Sequence, residues 1–222
     1  MEEERRFTPH PVELRAAPEG ARSPGVLAGY AVVFNSLSRD LGGWFEEIDP
    51  AAFGAPANGG MLDMSLHHRV IARFNHNNDA TLGTTNAGTL RVFVDESGVR
   101  YETDLPDTSA GRDVAVLADR GDLSFSSFSF SLLPGGTQWR EDADGKLVRR
   151  VMAATLHDVA PVIDPAYFGS SAGMQRSLDL DAIRASLQAP SGPDGRLDSV
   201  RALRTRAESS ATLYSRRGGR RK

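Results

Sequence analysis

The 222-residue chain contains no cysteine. That absence excludes a disulfide scaffold, thiolate metal sites and a cysteine nucleophile, so covalent catalysis would have to use serine, threonine, lysine or a carboxylate. Histidine is scarce, with five copies, and neither the histidines nor the acids show the helical or short-loop spacing of metal ligands. No metal and no cofactor is expected. No run reaches the roughly 18 consecutive apolar residues of a membrane span, and the acidic start, residues 1–24, has no apolar signal region. The expectation is a chain that stays in the cytoplasm where it is made, without a membrane partner. Aromatics are only 7% of the residues, and no strand face interleaves them with basic residues, which argues against a nucleic-acid-binding barrel. The basic end, Arg216 to Lys222, is the one stretch suited to nucleic acid or an acidic partner.

What is present is enough apolar sequence for one domain with a sizeable core, plus tails. From Ser127 onward serine and phenylalanine alternate, Ser127-Phe128-Ser129-Phe130-Ser131. This period of two sets Phe128 and Phe130 on one strand face and a row of hydroxyls on the other. Serine faces are usually only solvated. A nucleophile needs a base and an orienting acid from elsewhere in the chain.

Taken in order, residues 1–24 read as a loosely held arm with a short edge strand at Val12-Glu13-Leu14. Gly29 to Phe34 is a buried strand and Trp44 to Ile48 a second, and Asp49-Pro50 offers a capped start for a short helix. Asn58 to His68 has no period and reads as a loop. Val70 to Phe74 delivers His76 into an Asn-rich loop, a rigid way to hold a base. A hairpin follows from Leu90, Val92 and Val94, through a turn at Asp95 to Gly98, to Val99, Tyr101 and Thr103. Asp107 or Thr108 caps a helix whose Ala110, Val114 and Leu117 form one stripe. The serine strand is interrupted at Gly135-Gly136 and extended by Trp139-Arg140. Its partner runs from Leu147 to Val162 as one strand, so antiparallel pairing brings His157 and Asp158 back toward Ser127. Beyond Arg176 come a helix at Leu180, Ile183 and Leu187, a linker at Pro190 to Gly195, and a marginal helix at Leu197 to Leu203.

Each catalytic role thus has a candidate: Ser127, His76 and Asp158. His67 and His68 remain competing bases, His157 competes for the third position, and Ser126 and Ser129 compete as nucleophile.

The fragments Gly29 to Ser36, Phe45 to Phe53, Phe74 to Asn77 with Leu82 to Thr85, Tyr101 to Thr108, Gly121 to Ser124 with Ser127 to Phe130, and Val159 to Val162 with Pro165 to Tyr167 resemble, in that order, the tailed-phage (caudovirus) prohead serine proteases. The resemblance spans about Gly29 to Arg176. It implies a β-rich α+β fold, a mostly antiparallel β-barrel flanked by helices like that of herpesvirus assemblins. It implies a serine endopeptidase with Ser127 as nucleophile, His76 as base and Asp158 as third member, where the family usually carries the longer glutamate. Arg149 or Arg150 would assist backbone donors at the oxyanion, as assemblin-like arginines do. The expected partners are the major capsid protein or its scaffold, inside the prohead in the host cytoplasm, with homo-oligomerisation left open. The domains are then an arm of residues 1–24, a protease domain of 25–176 and a tail of 177–222 that self-cleavage would remove. The alternative is a catalytically inactive capsid- or scaffold-binding module on the same fold.

Overall fold

The computed structural model describes residues 3–17, 19–163 and 178–188. The expected helix at 197–203, the linker before it, the basic end and Pro165 to Tyr167 lie outside these residues. The chain divides into a unit of residues 1–180 and a unit of 181–222. The described part of the second unit belongs to an amphipathic helix, Leu180–Gln188.

Strands form where the period of two or a continuous apolar run predicts them. In chain order they are β1 (Glu4–Thr8), β2 (Glu13–Arg15), β3 (Val26–Val33), β4 (Phe45–Ile48), β5 (Ile71–Arg73), β6 (Thr81–Thr84), β7 (Leu90–Val94) and β8 (Gly98–Asp104). Helix α1 (Ser109–Asp119) follows, then β9 (Phe125–Leu132), β10 (Thr137–Glu141), β11 (Leu147–Val151) and β12 (Ala154–Val162). Helix α1 starts at Thr108, whose side chain accepts from the Gly111 backbone N–H, and it buries Val114 and Ala115.

The structure differs from four of the readings taken from the sequence. The arm is not loose at residues 4–8, which form β1 and bury alternate side chains. No helix follows Asp49-Pro50. Asp49 does cap the Ala51 N–H, but the backbone bonds there are i to i+3 turn bonds, and Gly54 at φ 87° turns the chain away. The barrel does not form either. The ladders make three open sheets, with orders β1-β9-β12-β5-β6, β10-β11-β4 and β2-β3-β8-β7, and none closes among the described residues.

The reason lies at Gly136 and Ala153. The run expected as one strand from Leu147 to Val162 breaks at Met152 and Ala153, whose N–H groups both donate to the Gly136 carbonyl. A Cβ on Gly136 would sit 2.2 Å from the Ala153 carbonyl oxygen, so only glycine permits this approach. β11 therefore leaves to pair with β10 and, in parallel, with β4, while β12 pairs with β9. Among the described residues seven of the nine ladders are antiparallel, and β11–β4 and β12–β5 are the two parallel exceptions.

One core joins the five- and four-stranded sheets: Phe128, Phe130, Leu156 and Val159 from the first, Leu27, Val32, Val99 and Tyr101 from the second, with Phe53 edge-on to Phe128. β9 is buried on both faces over most of its length. Its phenylalanines enter the core as the alternation requires, and its serine face is covered as well.

Candidate active site

Ser127 sits in the middle of β9, opposite Ala160 of β12. The small Ala160 leaves the space above the serine open to a side chain from the far side of β12. That side chain is His76. It follows β5 in a 3-10 turn, Phe74–His76, in which Asn75 and His76 both have left-handed backbone, φ 51° and 55°. Non-glycine residues rarely take this conformation, and strain of this kind is stored where side-chain aim matters. Bonds from Phe74 N to Ala80 O and from Asn77 N to Phe74 O hold the turn. As a result His76 Nε2 lies 2.6 Å from Ser127 Oγ.

Asp158 reaches the other ring nitrogen, with Oδ1 2.9 Å from His76 Nδ1. A β-bulge makes this contact possible. Leu156 pairs with Phe130 on the core face, yet Asp158 pairs with Ser129 on the serine face, because the register shifts between Leu156 and Asp158. Without the extra residue, positions 156 and 158 would share a face, and the carboxylate would point into the core. His157, the bulge residue, lies with Nε2 2.8 Å from Ser131 Oγ.

The carboxylate has a second partner that the sequence reading missed. Arg73, the last residue of β5, donates from Nη1 to Asp158 Oδ2 at 2.8 Å. The only prior signal was its place three residues before His76 on a strand pointing at the site. Burial alone would raise the Asp158 carboxyl. The hydrogen bond and charge of His76, with Ser129 and Arg73, more than offset it and hold Asp158 below the ordinary aspartate value. Asp158 is wholly buried and the His76 side chain is 6% exposed, so this charge is compensated by partners rather than by water.

Of the competing residues, Ser129 lies opposite Asp158 in the ladder, and the others go elsewhere. Ser126 faces the core with its Oγ 3.1 Å from Tyr101 Oη. His67 is buried between the Phe53 carbonyl and the Leu156 N–H, which occupy both ring nitrogens, and burial lowers its pKa. His68 is exposed. Arg149 and Arg150 lie on β11 in a different sheet from Ser127 and are tied to carboxylates. Arg149 binds Glu4 and Glu46, and Arg150 binds Glu47 and Asp49. No group of histidines and acids among the described residues has the arrangement of a metal site.

A hydroxyl, an imidazole and a carboxylate in hydrogen-bonded series are the parts needed to deprotonate an alcohol as it attacks a carbonyl. One feature of the surroundings opposes this. Ser127 has no solvent exposure, because β1 pairs antiparallel along β9 with Phe7 opposite Ser127, and Ser127 Oγ donates to the Arg6 carbonyl at 2.9 Å.

A sequence profile of the caudovirus prohead serine proteases matches residues 11–182. The match covers most of the chain and all three residues of the series, so the chain belongs to the caudovirus prohead serine protease family. No curated protein and no solved structure matches it. The family's members are serine hydrolases of phage capsid maturation, in accord with the resemblance seen in the sequence. No helix among the described residues is long and apolar enough to cross a membrane.

Proposed function

We propose that the chain is a serine endopeptidase that cuts the scaffold, or the scaffold-like arm of the major capsid protein, and its own tail, inside the phage prohead. The observation that supports this reading is the series Ser127, His76, Asp158 at 2.6 and 2.9 Å, assembled from three separate strands or strand ends. Ser127 Oγ attacks the scissile carbonyl carbon while His76 Nε2 takes its proton. As the C–N bond breaks, His76 returns that proton to the leaving amine, and water then hydrolyses the acyl-serine by the same route. Asp158 holds Nδ1–H and balances the imidazolium, and Arg73 fixes the carboxylate from its other oxygen. The oxyanion is stabilised by backbone N–H groups rather than by Arg149 or Arg150, whose guanidiniums are already paired with acids. On this reading the three open sheets are relatives of the assemblin barrel, supported by a nucleophile on one strand and a base just beyond another strand of the same sheet.

The test is covalent labelling with a fluorophosphonate, which phosphonylates an activated serine with loss of fluoride, followed by peptide mapping. The expected adduct is on Ser127 and disappears in His76→Ala. An adduct on Ser129 or Ser131, or one indifferent to His76, would overturn the assignment. The inactive capsid-binding reading has one observation in its favour, the sealing of Ser127 beneath β1. Cleavage of co-expressed capsid protein that depends on Ser127 would exclude it.

A further inference from the structure

The strand that seals Ser127 is unlike the rest of the fold. Among the described residues β1 is an edge strand whose only ladder is with β9, and it lies outside residues 11–182, the segment shared with the family. Every other strand paired in that sheet lies inside the segment. β1 also carries an unusual inward face. Glu4 and Arg6 enter a buried ionic cluster with Glu46 of β4 and Arg149 of β11, in which all four side chains are 10% exposed or less. Arg6 bonds Glu46 and Glu4 at 2.7 Å each, Glu4 bonds Arg149, and the Arg6 guanidinium lies over the Trp44 and Phe130 rings. Beside this strand is a pocket of about 280 Å³, lined among others by Phe7, Thr8, Arg39, Phe125 and Phe128.

The Ser127 hydroxyl has one proton. It has two acceptors within reach, the Arg6 carbonyl at 2.9 Å and His76 Nε2 at 2.6 Å, and cannot serve both at once. While it is given to Arg6 the hydroxyl is turned away from attack, in which it gives its proton to His76 and its oxygen approaches carbon. If β1 departs, β9 regains a free edge of N–H and C=O groups beside Ser127, which is the template for adding an extended peptide strand. The Glu46 carboxylate and the Arg149 guanidinium would then be left facing that edge with one partner fewer each.

We propose that the outer edge of β9 is the substrate's docking strand and that β1 is an internal stand-in for substrate. The segment accepted there is extended, runs antiparallel to β9, and carries an acidic side chain two residues before a basic one, meeting Arg149 and Glu46 as Glu4 and Arg6 do. This inference rests on the protease reading for its purpose, but its binding test does not require hydrolysis.

In the full-length chain, Glu4→Ala/Arg6→Ala removes one buried charge of each sign and leaves the Glu46–Arg149 pair matched. Fluorophosphonate labelling of Ser127 is expected to be at least tenfold faster in this variant than in wild type. A peptide of residues 3–10 is expected to slow it again, while the same peptide with the residues at 4 and 6 exchanged binds at least tenfold more weakly by fluorescence polarisation. Deletion of residues 1–9 serves as a second variant with the same expectations, so that a folding failure of either leaves the other to decide. Where wild type is labelled at all, a folded variant labelled at the same rate would overturn the proposal, and equal binding of the two peptides would overturn it in any case. Ser127→Ala placed in the same variants separates the two ideas. Charge-selective peptide binding without any labelling or cleavage in the parent variants would uphold the docking strand and reject the protease.

Discussion

At the scale of the residue, Asp158 is the position where the structure says most. It is wholly buried and shares its two oxygens between His76 and Arg73. Asp158→Asn keeps the shape but replaces an acceptor with an amide that must turn its N–H₂ toward one of two donors, so His76 loses its fixed tautomer. Peptide hydrolysis is expected to fall by roughly 10²- to 10⁴-fold in kcat with little change in KM, the larger figure being that of the best-known serine triad. Arg73→Met is expected to lower kcat less, since it leaves the His76 contact intact; a loss as large as that of Asp158→Asn would show that the guanidinium itself meets the substrate. The carboxyl's lowered pKa also bears on acid stability. A group held below its unfolded value contributes stability that is fully present above the ordinary aspartate range and is lost as pH falls through its folded value. Between pH 7 and 3, the melting temperature of Asp158→Asn is therefore expected to fall less steeply than that of wild type. Parallel curves would contradict the linkage.

Much at this scale was legible in the sequence. A chain with five histidines and no cysteine leaves few ways to activate a nucleophile, and the serine strand, the strand-borne His76 and the returning Asp158 stood out by type and position. Arg73 did not, because one arginine at a strand end looks like any solvated arginine until a buried carboxylate is found beside it.

At the scale of the element, the β-bulge at His157 and the left-handed turn at Asn75 and His76 determine whether the three side chains meet. Neither is marked by a glycine, so neither could be read from the sequence. A strict period of two would have sent Asp158 into the core. Asparagine tolerates φ 51° at position 75, whereas a β-branched residue does not. Asn75→Val is expected to destabilise the fold by about 1–2 kcal/mol, read from denaturant midpoints, and to lower activity beyond that loss by moving His76.

The ionic cluster under β1 is the second element-level device. Replacing Arg149 by alanine leaves Glu4 and Glu46 buried with Arg6 as their sole described cation. A broken buried network of this kind costs about 3–5 kcal/mol. An Arg149→Ala chain that unfolds at the wild-type denaturant midpoint would show that β1 is not held by these charges. The alternation of Glu4, Arg6 and Thr8 is visible in the sequence, yet it is polar, and a polar alternation normally marks a solvated edge. Only the meeting of acids and bases from three strands makes the face a buried one.

At the scale of the whole molecule, the apolar runs and the hairpin signals located the strands well, and the helix from Ser109 to Asp119 follows its stripe. The sheet order was less legible. The parallel pairing of β11 with β4 joins residues about a hundred positions apart, and the break that redirects β11 depends on one close backbone approach at Gly136. A barrel was expected from the resemblance to assemblin-like proteases; here Gly136 and Ala153 send consecutive strands to different sheets, and the described residues form three open sheets. The family match spans residues 11–182, which include the ordered fragments recognisable in the sequence.

The proposed activity requires Ser127 to be the group that opens a peptide bond of a capsid or scaffold chain. The most direct measurement is intact-mass spectrometry after co-expression of the protein with its capsid and scaffold proteins, comparing wild type with Ser127→Ala of unchanged circular dichroism and melting temperature. Discrete capsid or scaffold fragments are expected with wild type, and full-length masses only with Ser127→Ala. The same fragments, in the same yield, from the folded Ser127→Ala chain would contradict it.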